Sequence, residues 1–420
     1  MSRGRLLVVS YNWPPIADVG SMRVVKLTKY LRRMGWEIHV LTVRNPDVWR
    51  QLGPMETQDG IEVTRTLDPL RLDWFAAAYR KLITSAPGGK APGTAALGGR
   101  GVMVPEFQVG WLATARGAAV RLARRWGATH ILATGPPFTA LIAAAIAAER
   151  TGLPFLADLR DSWTLDPSTR YPAPALAMFD HALERFVLDK AGKVVVVTHA
   201  IRRQYVNHYP EYENKFITIP NGFDPEDFPR AQVANDGPFT ITYTGSFYPR
   251  TPPTTLLLAA QHLAARGVDL RVEFYGRPDP GVAAQVARLK LDDVVWFHGF
   301  RPLREAVEAA TRSNLLYLLM HTHYPQAMSD KLFMYLATGL PILYEGPDGE
   351  AVSFLLRWNA NVRFVQPGNV DQMEAEILDA MRYDYPTLAR RDILYWDAYG
   401  RMTQAKRLDT MLGALSRHES

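Results

Sequence analysis

Between Met328 and Pro341 the chain reads MSDKLFMYLATGLP, a stretch that sets a cation at the start of a helix. Ser329 is a good N-cap, Asp330 sits in the first turn, and the apolar spacing runs on until Gly339 and Pro341 stop it. Asn314–Met320 just before it reads as a buried parallel strand. A polar loop feeding a helix N-terminus beyond a strand end suits a phosphate, because unpaired N–H groups, the helix dipole and Lys331 all favour an anion.

Four other stretches carry chemistry-bearing residues at strand ends. Asn12–Met22 (NWPPIADVGSM) has two prolines that fix the backbone, Gly20 for close approach, Ser21 as an N-cap and Arg23 in the first turn. Functionally it would touch a phosphate or sugar; otherwise it is an ordinary strand-to-helix turn. It lacks the Gly-x-Gly-x-x-Gly dinucleotide pattern. Ala157–Trp163 (ADLRDSW) places Asp158, Arg160 and Asp161 together, either to position hydroxyls and act as a base or to let Arg160 pair with an Asp and brace the loop. Two carboxylates flanking a guanidinium make a poor divalent-metal site. Tyr243–Arg250 (YTGSFYPR) offers a tight turn at Gly245 and Ser246 and a diphosphate ligand in Arg250. In Phe297–Arg301 (FHGFR), His298, Gly299 and Phe300 supply an aromatic and backbone amides for a nucleobase, with a packed strand-end histidine as the alternative. His321 and His323 have no clear third partner, so no zinc site is expected.

The elements that must hold these residues alternate in type along the chain. Apolar runs at Leu6–Tyr11, Glu37–Val43, Ile61–Thr66, His130–Thr134, Phe155–Leu159, Val194–Thr198 and Phe216–Ile219 read as strands, with a helix at Ser21–Met34 closed by Gly35. The pattern resumes at Phe239–Thr244, Leu270–Tyr275, Val294–His298, Asn314–Met320, Pro341–Tyr344 and Val362–Val365. This is an α/β chain with two parallel sheets, a hinge near 225–237, a surface loop at 85–101 and an amphipathic helical segment Arg390–Leu415 that returns to the first half. Ligands of such sheets sit beyond the carboxyl ends of the strands, so two facing sheets would form an active-site cleft.

With 420 residues, each half can bury a full core. The absence of cysteine excludes disulfides and thiolate catalysis and suits a cytoplasmic protein. The first apolar run ends within about seven residues in a Pro-Pro loop, which reads as a strand rather than a signal peptide. Ala140–Ala148 is too short to span a bilayer. A net charge of +6 with no long basic block or zinc-finger spacing argues for a small polyanionic ligand rather than nucleic acid.

The ordered set SYNWPP, GSMR, KYLRRMGWEIHVLTV, ATGPPF, ADLRDSW, TIPNGFD, YTGSFYPR, FHGF and KLFMYLATGLPIL resembles the bacterial glycosyltransferase family 4, from about residue 5 to 400. The resemblance implies the GT-B fold, with an acceptor domain at 1–225, a nucleotide-sugar donor domain at 238–395 and a returning helix at 396–420. It implies a retaining hexosyltransferase of polysaccharide or natural-product biosynthesis that needs no metal or other cofactor. Arg250 and Lys331 would hold the donor diphosphate from the second domain, and the Gly20 loop would face it from the first. Arg160 and Asp161 would stand on the acceptor side, in a region where the family often has a His.

One departure matters. The family usually carries two Glu separated by seven residues, the second binding the donor ribose; here those positions are Gln326 and Met334. Losing a carboxylate–hydroxyl contact costs about 1.5–3 kcal/mol of donor binding unless another group, such as Glu345, supplies it. This departure supports an alternative, a non-catalytic GT-B sugar-nucleotide-binding or partner protein. A sugar-nucleotide 2-epimerase is a further alternative on the same fold. Arg71–Leu82 (RLDWFAAAYRKL) mixes cations and aromatics in a helix that either meets lipid headgroups peripherally or packs in the core. Acceptor, donor base and oligomeric state are left open.

Overall fold

A computed structural model describes residues 3–15, 19–44, 60–70, 103–229, 237–247, 251–277, 279–320, 328–358, 361–382 and 392–415. Arg250, Gln326, His321, His323, the 71–82 segment and the 85–101 loop lie outside the described residues. The chain divides into two compact units, Met1–Pro220 with Gln404–Ser420, and Asn221–Thr403.

The first unit holds seven parallel strands: β1 (Gly4–Val9), β2 (Trp36–Val43), β3 (Glu62–Thr66), β4 (His130–Gly135), β5 (Phe155–Leu159), β6 (Lys193–Val196) and β7 (Phe216–Thr218). Their order across the sheet is β3-β2-β1-β4-β5-β6-β7, so the winding reverses between β1 and β4. Successive strand residues face opposite sides. Full burial of Leu6, Leu7, Val8 and Val9 therefore means that helices cover both faces. Each such side chain contributes about 1.5–3 kcal/mol.

The helices of this unit are α1 (Val19–Arg33), α2 (Leu112–Trp126), α3 (Thr139–Thr151), α4 (Pro174–Lys190) and α5 (His199–His208). The alanine run is the interior of α3, where Ala140, Ala143, Ala144, Ala145 and Ala147 have no exposure. Small side chains let α2 and α4 approach α3 from either side, so an apolar helix here marks a core element rather than a membrane span. No helix among the described residues is long and apolar enough to cross a membrane.

The second unit holds β8 (Phe239–Thr244), α6 (Thr254–Ala265), β9 (Leu270–Tyr275), α7 (Pro280–Arg288), β10 (Val295–Gly299), α8 (Leu303–Thr311) and β11 (Leu315–Leu319). It continues through α9 (Asp330–Thr338), β12 (Ile342–Glu345), α10 (Glu350–Arg357), β13 (Val362–Val365), α11 (Val370–Ala380) and α12 (Ile393–Tyr399). Its six strands, also parallel, run β10-β9-β8-β11-β12-β13, with the reversal between β8 and β11. Ser329 caps α9 as expected, accepting from Lys331 N, and Gly339 closes it in the left-handed conformation.

Two local readings change. The helical segment expected over Arg390–Leu415 is broken at Gly400 into α12 and α13 (Arg401–Leu415). There Phe223 pairs with the chain: its N–H donates to Tyr399 O, and Arg401 N–H donates back to Phe223 O. From Gln404 onward α13 belongs to the first unit, burying Ala405, Leu408 and Leu412 with Leu6, Val8 and Ile38. Asp409 accepts from Trp36 Nε1 at 2.8 Å and pairs with Arg3. Near the expected hinge, Phe223 and Phe228 pack on Tyr395 and Trp396 in the core of the second unit.

Candidate functional site

At the reversal in the first sheet, Arg160 joins the loops that follow β1 and β4. Its guanidinium donates to the carbonyls of Gly20 and Pro136. Gly20 serves this contact: a Cβ there would lie 2.9 Å from Arg160 Nη2. Ser21 is fully buried inside the first turn of α1, which begins at Val19, so it is neither the N-cap nor open to a ligand. Arg23 and Asp158 form a buried pair at 3.0 Å, 1% and 5% exposed. Asp158 also accepts from Thr134 Oγ1, and Arg23 donates to the carbonyls of Ile219 and Pro220. Of the two carboxylates in ADLRDSW, Asp158 is structural, and Asp161 is exposed at the loop tip.

The loop carrying Asp161 is fixed from below. Trp163 stacks on Phe138 with ring centroids 4.7 Å apart and donates to Asp180. Unexposed Glu184 accepts from Tyr205 Oη at 2.5 Å, from Tyr209 Oη at 3.0 Å and from the Thr164 hydroxyl. Burial pushes the Glu184 carboxyl up, and burial beside Glu184 pushes up both tyrosines, so their protons stay in place as donors. Glu184→Gln turns an amide NH2 toward these hydroxyls and is expected to cost about 1–3 kcal/mol. A urea melt checks this, and an unchanged midpoint would contradict it.

The N-terminus of α3 is occupied from within. The Glu106 carboxylate accepts from Phe138 N, Thr139 N and the Thr139 hydroxyl at 2.5–2.9 Å. An anion at that helix end is thus supplied by the protein itself.

In the second unit the rim beyond the strands forms a continuous line of three glycines. Gly245 follows β8 with φ +128°, and a Cβ there would meet Lys331 Cε at 2.6 Å and Nζ at 3.0 Å. Gly276 follows β9, and a Cβ there would lie 2.1 Å from Gly245 O. Gly276 N–H donates to the carbonyl of Gly299, at the end of β10 with φ +71°. The sequence reading missed Gly276; the signal was its place directly after the strand, before Arg277. Arg277 N–H donates to Ser246 Oγ, tying the two turns together.

Lys331 crosses this rim at the reversal between β8 and β11, its Nζ 5.3 Å from the Tyr243 ring centroid. The helix that carries it is anchored one turn on, where Tyr335 Oη accepts from Thr244 N–H at 2.8 Å. An ammonium, a helix N-terminus and close-packed glycine turns together form a cationic corner of the chemistry that suits an anion. Gly276→Ala drives a methyl against Gly245 O. It is expected to cost roughly 1–3 kcal/mol of stability and to weaken anion binding; an unchanged melt and unchanged nucleotide titration would contradict it.

The other expected donor residues are placed as follows. Met334 is 8% exposed in an apolar cluster with Met320, Phe333 and Leu336, so it packs the core rather than facing a ligand. Glu345 does not take over the ribose contact: it is 4% exposed and accepts from Thr255 and Tyr317 at 2.6 and 2.5 Å. His298 stacks on Tyr275 with centroids 4.2 Å apart, 3.6 Å from Glu273. With Arg271, Arg301 and Arg312 these side chains line a polar groove of about 480 Å³ between β9, β10 and α8. Phe300 is 44% exposed next to it. No cluster of His, Asp and Glu with metal-binding geometry occurs among the described residues.

Two parallel α/β units with their rims at these reversals define the GT-B class. HepE from Anabaena, crystallised with UDP-glucose, shares the fold with a TM-score of 0.63 at 15% identity, over 98% of this chain and 100% of that one. A glycosyltransferase from Rickettsia africae gives 0.66 at 13% identity over 98% of each chain. Sucrose-phosphate synthase from Thermosynechococcus elongatus gives 0.65 at 16% over 99% of each. No curated protein matches the chain in sequence. Residues 20–222 match the glycosyl transferase 4-like domain family.

Proposed function

We propose that this protein is a retaining glycosyltransferase that moves a sugar from a nucleotide-diphosphate donor to a hydroxyl acceptor without a metal. The observation that supports the reading most is Lys331 lying across the Gly245 turn at the reversal of the second sheet. There it would meet the charge that builds on the departing diphosphate, and Arg250, by resemblance, would add a second cation. Same-face attack lets the leaving phosphate take the acceptor proton, so no protein nucleophile is required. Asp161, exposed on its pinned loop, would orient the acceptor hydroxyl, with Arg160 holding the neighbouring loops in place. That two sequence-similar positions differ from the family pattern leaves a second reading, a sugar-nucleotide binder without transfer, favoured by Met334 lying in the core.

Incubation with UDP-, GDP- and dTDP-sugars and a panel of hydroxyl acceptors separates these. NMR of the product should show the donor's anomeric configuration kept. An inverted product would overturn retention, and binding with no product under any donor would establish the second reading. Interconversion of UDP-sugars without an acceptor would make the protein an epimerase instead.

A further inference from the structure

Helix α9 meets different neighbours on two sides. Lys331 and Tyr335, one turn apart, lie toward β8, the first over the Gly245 turn and the second bonded to Thr244. Asp330, Phe333 and Ala337 follow a helical stripe on another side, and this side meets the stretch from α12 to the start of α13. Tyr395 Oη donates to Phe333 O and Trp396 Nε1 donates to Ala337 O, each at 3.0 Å. At the first turn, Arg401 Nη2 faces Asp330 Oδ1 at 4.0 Å. The returning chain is therefore fastened along α9 from its first turn to its last.

Arg401 is an unusual residue to place there. Its side chain is only 5% exposed, and a guanidinium withdrawn from water needs an opposite charge to offset the loss of hydration. Its backbone is held as well, since Arg401 N–H donates to Phe223 O and the Phe223 ring stacks on Tyr395. The cation is thus delivered to the start of α9 from a fixed position.

Asp330 presents the complementary problem. A carboxylate in the first turn suits the helix dipole, but Ser329 already caps the helix, and Asp330 stands beside Lys331 at the end where a diphosphate would arrive. Uncompensated, it would repel that ligand. We propose that Arg401 is a positioning residue for the donor corner: it neutralises Asp330 and so keeps the start of α9 attractive to a diphosphate. This rests on the transferase reading above and adds to it a residue that acts through Asp330 rather than on the ligand. An arginine that merely pinned the returning chain would support stability, and its loss would not be repaired by removing Asp330.

Calorimetric titration with UDP, GDP and dTDP in EDTA tests this on wild type, Arg401→Gln, Asp330→Asn and the double variant. Arg401→Gln should weaken the nucleotide that binds by roughly three- to tenfold, and more so at low ionic strength. Asp330→Asn should tighten it by about two- to fivefold, because the Arg401 charge then acts on the ligand. The double variant should return to within about twofold of wild type, and Arg401→Lys should keep most of the affinity. Equal affinity of wild type and Arg401→Gln, or a double variant no better than Arg401→Gln, would overturn the proposal. If Arg401→Gln fails to fold, Asp330→Asn decides, and unchanged or weaker binding by that variant would overturn it. A wild type that binds no nucleotide would overturn the transferase reading and this inference together, whereas binding without the compensation would overturn this one alone.

Discussion

Replacing Lys331 by alanine is expected to lower kcat with a nucleotide-sugar donor by about 10- to 100-fold. One charge-assisted contact to phosphate is worth about 1.5–3 kcal/mol, and it strengthens as the leaving group gains charge. The loss should appear in nucleoside-diphosphate affinity as well as in turnover, because in the proposed reading the ammonium would meet the same phosphates in both states. The fold should be spared. Ser329 still caps α9 and Tyr335 still anchors it to Thr244, while the contacts of the Lys331 side chain over Gly245 and the Tyr243 ring are removed. Steady-state rates and a thermal melt on the same preparation check both halves, and a near-normal rate would refute the assignment. Arginine is a poor substitute, since the space above Gly245 is filled by the Lys331 stem.

The largest stability effect is expected at Asp158. Its removal leaves Arg23, 1% exposed, without its carboxylate, and breaking such a buried pair costs about 3–5 kcal/mol. In a unit of this size that corresponds to a fall in melting temperature of roughly 6–20 °C. Asp158→Ala should show it in calorimetry. The double change Arg23→Met with Asp158→Leu should recover part of the loss, because two buried charges leave together. Recovery will be incomplete, as the Ile219 and Pro220 carbonyls and the Thr134 hydroxyl lose their partner. A single-variant melt equal to wild type would show that the pair contributes nothing to folding.

Much of the fold was legible because buried parallel strands are continuous apolar runs with polar ends. Phe155–Leu159, Phe239–Thr244, Leu270–Tyr275 and Val362–Val365 have the bounds read from sequence. The break at Gly400 was not legible, because its cause is pairing with Phe223, far away in sequence. The site divides in the same way. Lys331 at a capped helix start beyond a strand is a local pattern, and the structure places it there. Arg160 was read beside its sequence neighbours, and it also donates to the carbonyls of Gly20 and Pro136, which no residue type announces. Gly276 is required by another glycine's carbonyl, again a contact without a local signal. Glu345 looked available at a strand end, yet Thr255 and Tyr317 hold both its oxygens.

The central claim is that the second unit holds a nucleoside diphosphate through Lys331 without a metal. Calorimetric titration of wild type and Lys331→Ala with UDP, GDP and dTDP, all in EDTA, tests it most directly. The account predicts that one nucleotide binds the wild type and that the variant binds it roughly tenfold or more weakly. Absence of binding by all three, or equal binding by the variant, would contradict it.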